Sequence, residues 1–158
     1  MYKVIDVARF VINYCNEKRY DISNLKLQKL LYFIQAHYLT NGAPCFCEDI
    51  HAWNFGPVIP EIYQEFNKYG NGNIPKIDAY LIIDFTNMKF STHEFNPRII
   101  ANDDQIRIGS LLDGLSEYSA TTLVNVTHNQ KPWKDAYTGK HNEIISKVSI
   151  RDYFSYNC

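Results

Sequence analysis

The chain has 158 residues, of which 46% are hydrophobic and 21% are charged, and this composition excludes a disordered chain. Sixteen basic and seventeen acidic residues give a formal net charge of −1, which argues against a protein dedicated to wrapping nucleic acid. A chain of this length can bury a core without disulfides or metal, and we expect residues 1–158 to form one domain.

Two helices are predicted in the first 41 residues. Apolar residues recur at three- and four-residue steps from Val4 to Cys15 and indicate an amphipathic helix. A second helix is predicted from Ser23, a favoured N-cap residue, to Asn41-Gly42, where a left-handed cap should end it. This helix is apolar over most of its circumference, so we expect it at the centre of a bundle.

Residues 43–58 lack helical periodicity, and the segment around Trp53 is predicted as one short strand or an extended loop. Gly56-Pro57 indicates a turn, and Pro60 suits the first position of a third helix. The stretch 79–95 is rich in β-prone residues and predicts a hairpin that turns at Thr86-Asn87.

Helical signals return in the last third of the chain. Asn102 with Gln105 resembles a capping box, Ser119 can cap a short helix, and Pro132 suits the first turn of another. Ser149 with Asp152 predicts the start of a last helix. The fold class that follows is mainly α, a single compact helical domain of about six to seven helices with a small β-hairpin or short β element in the middle.

No cofactor or metal is expected. Cys45, Cys47 and His51 form a C-x-C-x3-H pattern, but structural zinc sites favour wider cysteine spacing and a second ligand pair, and none follows. The other cysteines are Cys15 and Cys158. No nucleophile elbow, dinucleotide fingerprint or phosphate loop occurs, although a Cys/His dyad assembled in space stays open.

The first residues do not resemble an export signal, because charged Asp6, Arg9 and Glu17 interrupt the apolar pattern. No apolar run approaches the length of a membrane-spanning helix. We therefore expect a cytoplasmic protein that does not bind membranes.

Three stretches stand in a distinctive order: 23–33 (SNLKLQKLLYF), 52–63 (AWNFGPVIPEIY) and 127–133 (THNQKPW). Together they resemble the Panacea domain family, whose members include SocA-type antitoxins and phage-associated GepA-like proteins. The resemblance covers roughly residues 4–155, and none of the three stretches falls in the β-prone segment 79–95. It implies a non-enzymatic antitoxin that neutralises a cognate protein toxin by direct binding, and at least one type of member acts as an adaptor for the ClpXP protease.

Six residues carry this pattern, and each also has a physical role of its own. Core packing is favoured over contact with a partner for the two tryptophans. Gly56 and Pro57 are expected to shape the turn before the third helix, and Lys29 to reach solvent or a carboxylate. His128 is expected to form a hydrogen bond across the turn before Trp133. All six are expected to be scaffold residues: Lys29, Trp53, Gly56, Pro57, His128 and Trp133.

Two other functions stay open from the sequence. A DNA-binding regulator of its own operon would need a recognition helix rich in Arg, Asn and Gln, and none stands out. A hydrolase with a Cys or His nucleophile would need the spatial dyad mentioned above.

Overall fold

The structure, a computed structural model, describes residues 1–140 and 143–156. Within these residues the chain forms seven α-helices and two small antiparallel sheets, which confirms the prediction of a mainly helical fold with a small β element. The helices are α1 (Val4–Lys18), α2 (Asn24–Thr40), α3 (Pro60–Phe66), α4 (Asn102–Leu115), α5 (Ala120–His128), α6 (Lys131–Ala136) and α7 (Lys147–Tyr156). The strands are β1 (Ile50–Trp53), β2 (Gly56–Val58), β3 (Ala79–Asp84), β4 (Lys89–Glu94) and β5 (Ile144–Ile145).

The helix α2 lies at the centre of the fold, as its broad apolar surface predicts. It contacts α1, α3, α4, α5, α7 and β2, and most of its side chains are buried. Leu27, Leu30, Leu31 and Ile34 on this helix belong to one core cluster with side chains from α1, α4 and the small sheet. Because neighbours surround α2, several of its polar side chains are also buried, namely Asn24, Lys26, Gln28, Lys29 and Gln35.

The sheets differ in how they join the core. The first has the order β2-β1-β5, and its central strand buries Ile50 and Ala52. The second contains only β3 and β4 among the described residues and forms the hairpin predicted for 79–95. Asp84 accepts hydrogen bonds from the backbone N–H groups of Thr86 and Asn87, so the turn forms where it was predicted.

The turn predicted at Gly56-Pro57 is displaced by two residues. The chain reverses at Asn54 and Phe55, and Gly56 is the first residue of β2, paired with Trp53. Gly56 has φ of +95°, a conformation that glycine adopts without steric cost. The glycine therefore serves the exit of the turn, and Pro57 lies inside the sheet.

The left-handed cap predicted at Asn41-Gly42 is present, and two predicted helix starts are corrected. Asn41 has φ of −97°, and the left-handed residue after α2 is Gly42. Asn102 does not cap α4, because it is the first helical residue and Ala101 holds the N-cap position without a side-chain bond. The Gln105 side chain donates to the carbonyl oxygens of Pro97 and Ile100, at the end of the short 3-10 turn Pro97–Ile99. The last helix begins earlier than Ser149: the Oγ of Ser146 accepts from the Ser149 N–H, as an N-cap residue does.

Ser119 and Pro132 act as predicted. The Ser119 side chain accepts from the Thr122 N–H at the start of α5. Pro132 occupies the first turn of α6, where its missing N–H would have no partner within the helix.

Candidate functional site

The six residues predicted from the motifs meet around the hairpin formed by β1 and β2. Lys29 comes from the middle of α2, and His128 ends α5. Trp53 ends β1, Gly56 and Pro57 begin β2, and Trp133 lies in the first turn of α6. Residues separated by more than 100 positions in the chain therefore form one connected set of contacts.

Lys29 is fully buried, with none of its surface exposed. Its Nζ donates a hydrogen bond to the carbonyl oxygen of Pro57 over 2.8 Å. The expectation that it reaches solvent or a carboxylate is wrong, because β2 lies against the end of the side chain and supplies a backbone carbonyl as its partner. Burial lowers the pKa of the Lys29 ammonium from 10.5 to about 7, since the charged form loses its hydration.

Gly56 lies where three elements come closest together. A Cβ atom at this position would be 2.8 Å from Oγ1 of Thr127 and 3.0 Å from both Cε and Nζ of Lys29. Thr127 is itself buried and donates to carbonyl oxygens within α5. The hairpin can therefore approach α2 and α5 this closely only because residue 56 has no side chain.

His128 stacks on Trp133. The hydrogen bond predicted for His128 across the turn before Trp133 is not formed. The two rings have centroids 4.1 Å apart and an interplanar angle of 22°. α6 begins three residues after His128 and carries the indole over the imidazole, so the His128 ring turns to the backbone of Asn54, with which it forms a hydrogen bond. Burial and the nearby Lys29 ammonium lower the pKa of His128, and the Asn54 bond opposes that shift. Its Nε2 is buried and has no hydrogen-bond partner within the described chain.

Trp133 fixes the other side of the hairpin. Its indole N–H donates to the carbonyl oxygen of Trp53 over 3.0 Å. Its ring also stacks on Tyr137 with centroids 4.5 Å apart, and the Tyr137 hydroxyl donates to the side chain of Asn54. Trp53 and Asn54, which lead into the turn, are thus held by Trp133 of α6 and by Tyr137, the residue after that helix.

An aromatic cleft of about 680 Å³ opens beside this hairpin. Trp53 and Tyr63 meet edge to face in its wall with ring centroids 5.1 Å apart, and Phe55 at the turn is 61% exposed. Amide side chains, among them Asn24 and Asn54, supply its polar groups. Such a surface can contact another molecule through aromatic faces and hydrogen bonds.

Sequence reasoning missed a set of buried polar side chains on α2 that bind the backbone of other segments. The Gln35 side chain accepts from the N–H groups of Cys45 and Phe46 and donates to the carbonyl of Phe46. Gln28 accepts from the Ile59 N–H just before α3. The sequence did contain a signal for these bonds. Gln28 and Gln35 lie on a helix that is apolar on most sides, and a buried polar group needs a hydrogen-bond partner.

The two buried cysteines, Cys15 and Cys45, do not have the character of nucleophiles or metal ligands. Burial raises the pKa of Cys15 to about 11 and of Cys45 to about 12, so both stay protonated thiols, which are poor nucleophiles and ligands. Among the described residues no three His, Cys, Asp or Glu side chains are grouped as a metal site, Cys45, Cys47 and His51 included. Cys158 and His141 lie outside the described residues.

The segment that carries these contacts matches a known family of protein domains. The family model for the SocA-like antitoxin, Panacea domain, matches residues 27–134, which is more than half of the chain and contains all six motif residues. The chain belongs to this SocA-like Panacea family. A 50-residue stretch is 48% identical to "Antitoxin SocA" of Caulobacter vibrioides (strain NA1000 / CB15N), covering 31% of the present chain and 27% of that protein. The aligned part thus spans about a quarter of that relative.

No solved structure matches the chain significantly. In the described part of this Panacea chain, none of the helices combines the length and the apolar character needed to span a membrane.

Proposed function

We propose that this Panacea protein is an antitoxin that neutralises a cognate protein toxin by direct binding, as a single domain spanning residues 1–158. Membership of the SocA-like antitoxin family carries the proposal. We place its action in the cytoplasm, with no catalytic activity of its own and no need for nucleic acid, membrane or cofactor.

The six motif residues are proposed to be scaffold. Their contacts support this role: Lys29 binds a backbone carbonyl, Trp133 binds another, and Gly56 permits the close approach of three elements. Each of these contacts joins parts of the chain to one another. Toxin recognition is then left to exposed side chains outside this set.

Co-expression tests the function. The product of the gene adjacent to the one encoding this chain is expressed in bacteria with and without this protein, and growth is followed. We expect growth arrest that the present chain relieves. Persistent arrest with both proteins well expressed would contradict the proposal.

Stoichiometry separates binding from enzymatic modification. The two purified proteins are mixed and the mass in solution is measured, with a defined complex as the expected result. The Cys47→Ser variant, which removes an exposed thiol, should neutralise as well as the wild-type chain. Relief of toxicity by a small fraction of one equivalent, with no complex, would indicate an enzyme instead.

Two modes of neutralisation fit this proposal, namely stable sequestration and delivery of the bound toxin to the ClpXP protease. The half-life of the toxin in cells separates them. Sequestration leaves the half-life unchanged or longer, whereas delivery shortens it only when both the antitoxin and ClpX are present.

A further inference from the structure

The turn between β1 and β2 is held through its backbone carbonyl groups. Three side chains, one each from α6, α5 and α2, donate hydrogen bonds to carbonyl oxygens of residues 53–57. The pairs are Trp133 with Trp53, His128 with Asn54, and Lys29 with Pro57. We call these three contacts the turn clamp. The clamp also fixes one wall of the aromatic cleft, because Trp53 and Phe55 belong to this turn.

The His128 ring has one bonded nitrogen and one buried nitrogen without an acceptor. Its Nε2 has no hydrogen-bond partner within the described chain, so the bond to the Asn54 carbonyl is made by Nδ1. In the neutral ring Nε2 carries a lone pair. Protonation would turn it into an N–H group that is enclosed and has nothing to donate to, which is unfavourable.

The neighbouring charge also opposes protonation of His128. The helix α5 packs against α2, β2 and α6, and the charged group that acts on His128 from these elements is the Lys29 ammonium. Neither β2 nor the rest of α5 has an ionisable side chain. The other ionisable side chains of α2 and α6 have contacts elsewhere or lie at the surface: Lys26, Tyr32, His37, Tyr38, Lys131, Lys134 and Asp135.

Two contacts favour a charged ring, and they are weaker than the opposing effects. The face of the Trp133 indole attracts a cation, and the Asn54 carbonyl stabilises the imidazolium. Burial acts against the charge most strongly, and the pKa of His128 therefore lies below its ordinary value of 6.5. A ring exposed to water binds a proton more tightly than the ring in the clamp. Acid consequently favours any conformation that exposes it.

We propose that the turn clamp is released by acid: when Nε2 of His128 takes up a proton, the ring leaves its stack on Trp133, and residues 53–56 separate from α5 and α6 while the rest of the domain stays folded. The proton comes from water and remains on the ring. Lys29 continues to hold β2 through the Pro57 carbonyl. The cleft wall formed by Trp53 and Phe55 loses its fixed position. This inference does not depend on the antitoxin function.

The two tryptophans of the chain, Trp53 and Trp133, both belong to the turn clamp, so intrinsic fluorescence reports on it directly. Quenching by acrylamide measures how far solvent reaches the indole rings, and we follow it from about pH 7.5 to about pH 5. Quenching of the wild-type chain should increase below about pH 6.5, while far-UV circular dichroism stays constant. The ratio of released to clamped turn should rise by up to about tenfold per pH unit.

Two matched variants test the role of His128. His128→Asn keeps an N–H donor for the Asn54 carbonyl but cannot take up a proton. His93→Asn makes the same change at an exposed histidine of β4. We expect quenching of His128→Asn to be independent of pH and quenching of His93→Asn to follow the wild-type curve.

Lys29→Met keeps His128 and guards against a His128→Asn variant whose turn is open at every pH. Because it removes the neighbouring ammonium, the pKa of His128, followed by NMR of its ring protons, should rise towards 6.5. The acid response of quenching should then be weaker than in the wild-type chain. A purely structural role of Lys29 would leave the pKa of His128 unchanged.

Three results would overturn the inference. The first is wild-type quenching that stays constant down to about pH 5. The second is an acid response that persists in His128→Asn or is undiminished in Lys29→Met with the pKa of His128 unchanged. The third is an acid response accompanied by loss of circular dichroism, because the whole domain would then unfold and the release would not be local.

Discussion

The Nζ atom of Lys29 lies 2.8 Å from the carbonyl oxygen of Pro57, and this contact joins the centre of α2 to the start of β2. The ammonium is enclosed by the most buried helix of the fold and by a hairpin that approaches it through a glycine. Protonating a buried amine that has no charged partner costs free energy. The contribution of Lys29 to the free energy of unfolding therefore depends on pH.

Replacing Lys29 with methionine should remove a pH dependence of stability. The folded-state pKa of Lys29 is lowered to about 7, while the unfolded chain keeps the ordinary value near 10.5. Between these values the unfolded state binds one proton more, so the free energy of unfolding rises with pH, by up to about 1.4 kcal/mol per unit. Below about pH 7 both states are protonated and this dependence vanishes.

Urea unfolding of wild-type and Lys29→Met chains at about pH 6, 7.5 and 8.5 checks this expectation. The wild-type chain should gain stability relative to the variant as pH rises above about 7. The thiols of Cys15 and Cys45 are present in both proteins, so their contributions cancel in the difference. A difference that stays constant across this range would show that Lys29 does not change protonation there.

Replacing Gly56 with alanine should destabilise the fold more than the same change at Gly42. Both glycines have positive φ, +95° and +106°, so both substitutions strain the backbone by about 1–2 kcal/mol. Only at Gly56 would the new methyl group overlap Thr127 and Lys29, because nothing lies within 4 Å of a Cβ at Gly42. The overlap should add about 1–3 kcal/mol, measured by chemical denaturation. Equal losses would mean that the hairpin can shift away from α2 at no cost.

The central position of α2 could be predicted from the sequence, because the apolar residues that favour burial lie on consecutive turns of this one helix. The same holds for the β3–β4 hairpin, whose strand-forming residues and turn are local. The Panacea motifs likewise identified residues that the structure brings together around β1 and β2, although they lie far apart in the chain.

The partners of the buried polar groups could not be predicted. Lys29 and Gln35 are visibly polar residues on an apolar helix, but the carbonyl or N–H that each one binds belongs to a segment placed by the whole fold. The pairing of β5 with β1 is hidden for the same reason, since two residues carry no periodicity. The shift of the predicted turn arose because Gly56 and Pro57 favour turns locally, while tertiary packing placed them in a strand.

Removal of metal should leave the fold unchanged. A zinc ligand must be a thiolate, and burial raises the pKa of Cys45 to about 12, which opposes that form. Purified protein should contain less than one equivalent of zinc, and a chelator should leave the thermal midpoint unaltered. Stoichiometric zinc whose extraction unfolds the chain would overturn the interpretation of Cys45, Cys47 and His51.

Replacing Leu30 with alanine should test whether α2 forms the core on which the whole domain depends. Leu30 is 2% exposed and belongs to the main core cluster, so truncation removes buried apolar contacts and leaves a cavity. The expected loss is about 2–5 kcal/mol in the free energy of unfolding. Ile106→Ala on α4 is the control: this side chain is 73% exposed, and its removal should cost less than about 0.5 kcal/mol. Urea unfolding of both variants measures the two losses, and a loss below about 0.5 kcal/mol for Leu30→Ala would show that the domain does not depend on packing around α2.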